Sequence, residues 1–363
     1  MPADVTAYFS QPTFTVDGQP NADLGRRVRS VLVEETSDGL YRCEARFDNW
    51  GPRNGRLGYL YFGRDVLDFG KKLAVSLGAG PGSGQVFEGQ ITALEAEYPP
   101  GGGAQIVVLA EDRLQRLRMQ RRTRTFEDVS DEDIVRQIAQ EHGLQPDLSL
   151  NGPAHRAVVQ ANQSDLAFLR ERARSVGAEV WVEGDRLRAK PRGERSGQPV
   201  ALRYGANLLS FVVRADLAHQ VTEVAVCGWD VQAKEPIAEA AGEAAIAAEL
   251  EGGASGSAVL GSALAERRER ITAAAPTTAA QARSLAEAQY RERARRFVTG
   301  TGLADGDARI RVGALVELSG LGSLFDGRYV VVRACHTYDL ANGFRTEFDV
   351  ERPGLGPAEG PSS

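Results

Sequence analysis

At 363 residues the chain is long enough for two or three domains, each with its own core. Its composition, 42% hydrophobic and 25% charged, is that of a soluble globular protein, and no apolar run approaches the ~18 residues of a membrane span. A formal charge of −6 disfavours general affinity for nucleic acid or anionic membranes, and the start MPADVTAYFS lacks the basic and apolar regions of a secretory signal.

Residues 1–120 read as a first β-domain. Val28–Glu35 and Tyr41–Phe47 flank Ser37-Asp38-Gly39, a hairpin with glycine at its turn. In the second strand Tyr41, Cys43, Ala45 and Phe47 alternate with Arg42, Glu44 and Arg46, giving one face for a core and one for solvent or a partner. Lys71–Leu77, Gln85–Tyr98 and Gln105–Ala110 add strands, separated by the glycine-rich segments 78–84 and 99–103. GAGPGSG at 78–84 lacks the Gly-Lys-Ser/Thr ending and the following helix that a phosphate loop needs, so it reads as a flexible hairpin loop. Arg113, Arg116, Arg118, Arg121, Arg122 and Arg124 follow. Without interleaved aromatics to stack on bases, they read as a solvated segment paired with acids such as Glu127, Asp128 and Asp131–Asp133.

Residues 121–195 read as an α/β insertion. Ser130 caps a helix whose first turn, Asp131-Glu132-Asp133, faces the positive end of its dipole. Ile134, Val135 and Ile138 form its buried stripe and Gly143 ends it. Ser164 starts a second helix with Leu166, Leu169, Ala173 and Val176 on one face and Gly177 at its end. Val180–Val182 then pairs with Leu187–Lys190 across Gly184-Asp185. His142 reads as a dipole partner or a surface position.

Residues 196–353 read as a second β-domain, with strands at Leu208–Arg214, Val221–Gly228 and Ala308–Leu318. The Ala- and Gly-rich stretch 233–275 reads as a flexible insertion, and Thr278–Gln281 as the capping box of a helix over 278–298. In 325–351, Phe325-Asp326-Gly327 leads into Tyr329–Ala334, Asn342-Gly343 suits a type I′ turn, and Phe344, Thr346, Phe348 and Val350 alternate with Arg345, Glu347 and Asp349. A fainter copy lies upstream: Phe87-Glu88-Gly89, Ile91–Glu97, a Gly-rich turn and Ile106–Ala110. Val75-Ser76-Leu77 and Val316-Glu317-Leu318 precede the two copies, so the chain reads as two related β-units. The tail 354–363 has the composition of disorder.

Chemistry is hard to find. The four histidines lack the spacing of a metal site, and the three cysteines (Cys43, Cys227, Cys335) lie in strand-like runs without CxxC spacing, as buried reduced thiols do. There is no nucleophile elbow and no dinucleotide fingerprint. His336 with Asp339 or Asp349 comes nearest to a dyad, but its strand position favours a structural histidine. No catalytic, cofactor-binding or metal-binding residue is assigned, and no enzyme activity is expected.

An ordered set of motifs resembles the late control protein D family of contractile-tailed phages, related to the hub part of type VI secretion spike proteins. The residues are Phe87-x-Gly89-x-Ile91-Thr92, Ala110-Glu111-Asp112, Ser130-x-x-Asp133-Ile134-Val135-x-x-Ile138-Ala139-x-x-His142-Gly143-Leu144 and Gln160-x-Asn162-x-Ser164-Asp165-Leu166-x-Phe168-Leu169. Val226-x-Gly228-Trp229-Asp230, Gly327-x-Tyr329-x-Val331 with His336 and Tyr338, and Gly343-Phe344-x-Thr346-x-Phe348 complete it. The resemblance implies a mainly β fold of the α+β class: two tube-protein-like antiparallel β-barrels plus a small helical α/β domain. It implies a trimeric baseplate hub of a phage tail or contractile injection system, assembled in the cytoplasm, that joins a hexameric inner tube to a trimeric central spike. The expected partners are two further copies, the inner tube protein, a separate spike chain and other baseplate components, with no membrane and no specific nucleic acid. A tail-borne cell-wall hydrolase and a nucleic-acid-binding regulator are the alternatives. Arg345, Glu347 and Asp349 are candidates for subunit or tube contacts.

Overall fold

The computed structural model describes residues 10–53, 55–195, 199–274 and 276–357. The first β-unit comprises β1 (Thr13–Val16), β2 (Gln19–Pro20), α1 (Ala22–Arg27), β3 (Val28–Thr36), β4 (Arg42–Asp48), β5 (Trp50–Arg53) and β6 (Arg56–Tyr59). It continues through β7 (Lys72–Leu77), β8 (Gly84–Glu97), β9 (Gln105–Glu111) and the short α2 (Gln115–Arg118). Strict alternation places Val31, Val33, Cys43, Ala45 and Phe47 in its core.

The middle of the chain has a core of its own, built on β10 (Arg121–Val129), α3 (Asp131–Glu141), β11 (Gln145–Leu148) and β12 (His155–Ser164). α4 (Asp165–Ser175), β13 (Ala178–Glu183) and β14 (Arg186–Pro191) complete it. The start of α3 is as the sequence predicts: the Ser130 hydroxyl accepts from Asp133 N, and the Asp133 carboxylate accepts from Ser130 N at 3.0 Å. Gly143 and Gly177, at φ of 65° and 75°, follow the ends of the two helices in the left-handed region where a side chain is unfavourable.

After β15 (Val200–Arg203) and β16 (Leu208–Ala215) a separate three-stranded sheet forms from β17 (Glu223–Asp230), β18 (Glu235–Ala241) and, beyond β19 (Ala254–Ser255) and α5 (Gly256–Ala263), β20 (Arg268–Ile271). α6 (Ala279–Arg295) lays Ala282, Ala286, Tyr290 and Ala294 against it. The strand expected at 221–228 therefore belongs to this sheet, and within 233–274 the chain forms β18–β20, α5 and two 3-10 turns. Its small side chains pack: Leu260 and Ile246 are buried, and Ser255 caps α5 while binding Glu243.

The second β-unit is finished by β21 (Val298–Asp305), β22 (Leu315–Ser319), β23 (Gly327–Asp339), β24 (Gly343–Arg352) and β25 (Gly354–Leu355). β25 pairs with β19 inside the stretch expected as a disordered tail, whose remaining residues 358–363 lie outside the described residues. The β23–β24 turn is not type I′. Asp339 pairs with Gly343, three residues intervene, and only Gly343 has positive φ, 66°, which is the three-residue loop with a glycine bulge. Asp339 holds it by accepting from Ala341 N and Asn342 N at 2.8 and 2.7 Å.

The chain has the mainly β, α+β fold expected. The two β-units share one strand order: β3-β4-β9-β8-β7-β1 in the first and β16-β21-β24-β23-β22-β15 in the second. Only the outermost pairs differ, since β1 runs antiparallel to β7 and β15 parallel to β22. Nor are the units hydrogen-bonded apart. β23 pairs with β22 at Gly327–Val330 and with β3 at Arg333–Asp339, so one thirteen-stranded sheet passes through both.

Candidate assembly surface

The joint between β3 and β23 gathers functional groups on both faces of the sheet. Alternation on β3 sends Glu34 to the open face and Glu35, 1% exposed, to the buried one. On the open face a charged ladder crosses the strands. Arg42 on β4 pairs with Glu34 on β3, and Arg333 on β23 reaches Glu34 at 2.9 Å and Glu347 on β24 at 2.7 Å. Asp349 lies 3.7 Å from Arg333 and accepts from the Thr301 hydroxyl on β21 at 2.8 Å. Arg46 extends the ladder to Glu97 on β8 at 2.9 Å. Partial burial raises the Glu34 carboxyl, but its two arginines outweigh this and hold it below the usual range.

Beneath the ladder is a buried polar junction. Glu35 pairs with Arg311 and accepts from Val312 N. Arg195 lies over the Trp181 ring at 4.3 Å, pairs with Glu179 and hydrogen-bonds the Tyr41 hydroxyl. Burial pulls the Arg195 guanidinium down to about 10. This one side chain joins the first β-unit to the middle domain, whose Trp181 is part of the first unit's core. His336 is fully buried, shares a 3.0 Å hydrogen bond with the Thr346 hydroxyl, and is pushed down to about 3 by burial and then by Arg311.

The dyad candidates, the acids at the start of α3 and the histidines do not converge on one site. Neither carboxylate proposed for a dyad meets His336: Asp339 caps its own loop and Asp349 is in the ladder. Asp133 is a helix cap, and Glu132 pairs with Arg136 on the next turn. Asp131 does more than face a dipole. At 1% exposure it accepts from Arg172 at 2.6 Å and lies 3.1 Å from His155, whose other ring nitrogen is 3.0 Å from the Gln281 amide on α6. His142 likewise lies 2.8 Å from buried Asp165, with Arg124 on the same carboxylate. Histidine and acid are far apart in sequence in both networks, so no local pattern signals them.

All six arginines of 113–124 are engaged within the chain, though not with the acids expected. Arg118 pairs with Glu111, and Arg122 and Arg124 pair with Glu141 and Asp165. Arg113, Arg116 and Arg121 donate to Gly143 O, the Gln90 side chain and Asn162 O. GAGPGSG packs against the second β-unit, with Gly82 O accepting from Ala308 N at 2.9 Å. Cys43 and Cys335 are buried and Cys227 is half-buried, all as free thiols. Among the described residues no three His, Cys, Asp or Glu side chains cluster as a metal site would, and no helix is long and apolar enough to cross a membrane.

Arg345, Glu347 and Asp349 lie on the open face, where β24 is flanked by β21 and β23, and their charges are used within the sheet. The exposed apolar groups lie elsewhere. The β5–β6 hairpin carries Trp50, Leu57 and Tyr59, with Tyr59 stacked on Phe62 at 4.6 Å. The outer strand β16 carries Leu209 and Val212, and Tyr98 stands beyond the end of β8.

A family model described as "Alg8 N-terminal domain" matches residues 63–339. No curated protein matches the chain in sequence. Among solved structures, the 43 kDa tail protein of prophage MuSo2 from Shewanella oneidensis superposes with a TM-score of 0.67 at 13% identity, over 94% of this chain and 98% of its own. A tail protein from Neisseria meningitidis MC58 gives 0.67 at 14% identity, over 95% and 97%. The E. coli c3393 protein, described as a type VI secretion component similar in structure to the T4 tail proteins gp27 and gp5, gives 0.57 at 13% identity, over 92% and 76%. At these identities the shared property is the fold, and it is the fold that the late control D resemblance implied.

Proposed function

The chain belongs to the family described as the Alg8 N-terminal domain, and from its fold, which is that of phage tail proteins, we propose that it is a structural hub of a contractile tail or injection system. In this reading three copies form a ring that seats a hexameric inner tube on one side and a trimeric spike on the other. Other baseplate components surround it, and assembly takes place in the cytoplasm. Residues 1–120 and 196–353 are the two tube-like units and 121–195 the domain between them. The protein works through its surfaces and catalyses no reaction.

One observation carries this reading. Two units of the same strand order are fused edge to edge in one chain, so three chains present six similar units to a sixfold partner. Each of the three ranges centres on a hydrophobic core of its own, which supports the division into domains; 196–353 holds a second core under α6, and the first core also takes in Trp181, Ala308, Tyr338 and Phe344. The test is the mass of the purified protein, alone and mixed with the tube and spike proteins of the same particle. A trimer that co-purifies with both is expected; a monomer in every mixture overturns the reading.

A further inference from the structure

The joint made once inside the chain leaves a matching pair of strand edges open. β23 outruns its neighbour β22, and the overhanging half, Arg333–Asp339, receives β3. β8 has the same build: it pairs with β7 up to Gln90, and from Ala93 to Glu97 it pairs, among the described residues, with β9 alone. The correspondence holds residue by residue. Opposite β9, β8 shifts register between Ile91 and Ala93; opposite β24, β23 shifts between Val331 and Arg333. On the receiving side β3 corresponds to β16, each shifting register after its first paired residue, at Val28/Ser30 and at Leu208/Ser210. β16 is the last strand of the sheet, and among the described residues its outer edge carries only a bridge from Tyr204 to Leu208.

We propose that β16 of one copy adds antiparallel to Ala93–Glu97 of the next, in the register of the internal joint. Ala334 opposite Glu35 and Thr337 opposite Leu32 translate into Leu94 opposite Ala215 and Glu97 opposite Val212. Glu95 then stands opposite Arg214. Both are exposed, and among the described residues neither has an ion-pair partner. Such a cross-strand pair of opposite charges favours the register. The same contact covers Val212, 74% exposed, and brings Tyr98, 65% exposed, opposite Phe211. β16 has no proline or lysine to guard its edge, so it is a strand that a partner should cover. Because the two edges differ, the contact is head-to-tail and can close a ring. The proposal takes the number of copies from the trimeric reading above.

The test uses the full chain carrying Glu97→Cys and Val212→Cys, mildly oxidised with and without the tube and spike proteins. Directly opposite residues lie ~4.5–5.5 Å apart at Cα, within reach of a disulfide. Covalent dimers and trimers of the chain are expected, absent from either single variant and from the native protein. In parallel, Glu95→Arg and Arg214→Glu should each weaken self-association several-fold, and the two combined should restore it. A trimer by mass with neither cross-link nor rescue overturns the joint and leaves the hub reading standing. Cross-linking only to a different protein overturns the choice of a second copy, and a chain monomeric in every mixture removes both proposals.

Discussion

His336 first looks like a base and turns out to be a buried neutral group. Burial and Arg311 hold it down to about 3, against about 6.5 in an unfolded chain. Between these values the unfolded state takes up a proton that the folded state refuses. The contribution of His336 is therefore intact above about pH 6.5 and is lost as pH falls towards 3. His336→Gln should flatten the stability profile in that window by up to about 1.4 kcal/mol per pH unit, measured by urea unfolding at about pH 5 and about pH 7. Asp131 shows the opposite sign. Burial raises its carboxyl, but His155 and Arg172 outweigh that and hold it low, so its contribution is present above the usual carboxylate range and lost in acid. Asp131→Ala leaves Arg172 without its buried carboxylate and should cost about 3–5 kcal/mol near neutral pH in the same assay.

Elements were legible where local chemistry and burial agree. α3, α4 and the β3–β4 and β13–β14 hairpins all stand where caps, glycines and alternation predict them. β21 carries no strand signal in the sequence because Gly300 and Gly302 interrupt its pattern. They are needed there, since a Cβ at either position would run into the ring of Phe211 or Phe348. β10 reads in the sequence as a solvated segment because its arginines mask a strand that pairs with β12. The repeat in the sequence is two residues out of register with the structure: the sequence aligns Val75 with Val316, whereas the pairing places Leu73 opposite β8 as Val316 is placed opposite β23. A slip of two residues keeps every side chain on its face, so a period-2 pattern cannot detect it. Gly302→Ala should cost about 1–3 kcal/mol through the Phe348 contact, and Ser130→Ala about 1 kcal/mol through the lost cap, both read as a lowered urea midpoint.

For the whole molecule the important contact is also, among the strand pairings of the described residues, the longest in sequence. β23 closes against β3 across nearly the full chain, so the first β-unit depends on the last strands for its edge. Residues 1–120 produced alone expose β3 along Ser30–Thr36 and should aggregate, whereas co-production with 196–363 should recover a soluble complex; light scattering separates the two outcomes. No short motif announces this dependence, because each strand is patterned for its own core and the partner edge is chosen only in three dimensions.

A sheet loaded across its strands opens as a zipper does, one hydrogen-bonded pair at a time, because the bonds lie along the pull. The β3–β23 seam is riveted on both surfaces at the same place, by Glu34 with Arg333 above and by Glu35 with Arg311 below. Opening from the Thr36–Arg333 end cannot begin without breaking the rivets. Hoop tension in a wall built from this chain would therefore yield first at seams that lack them.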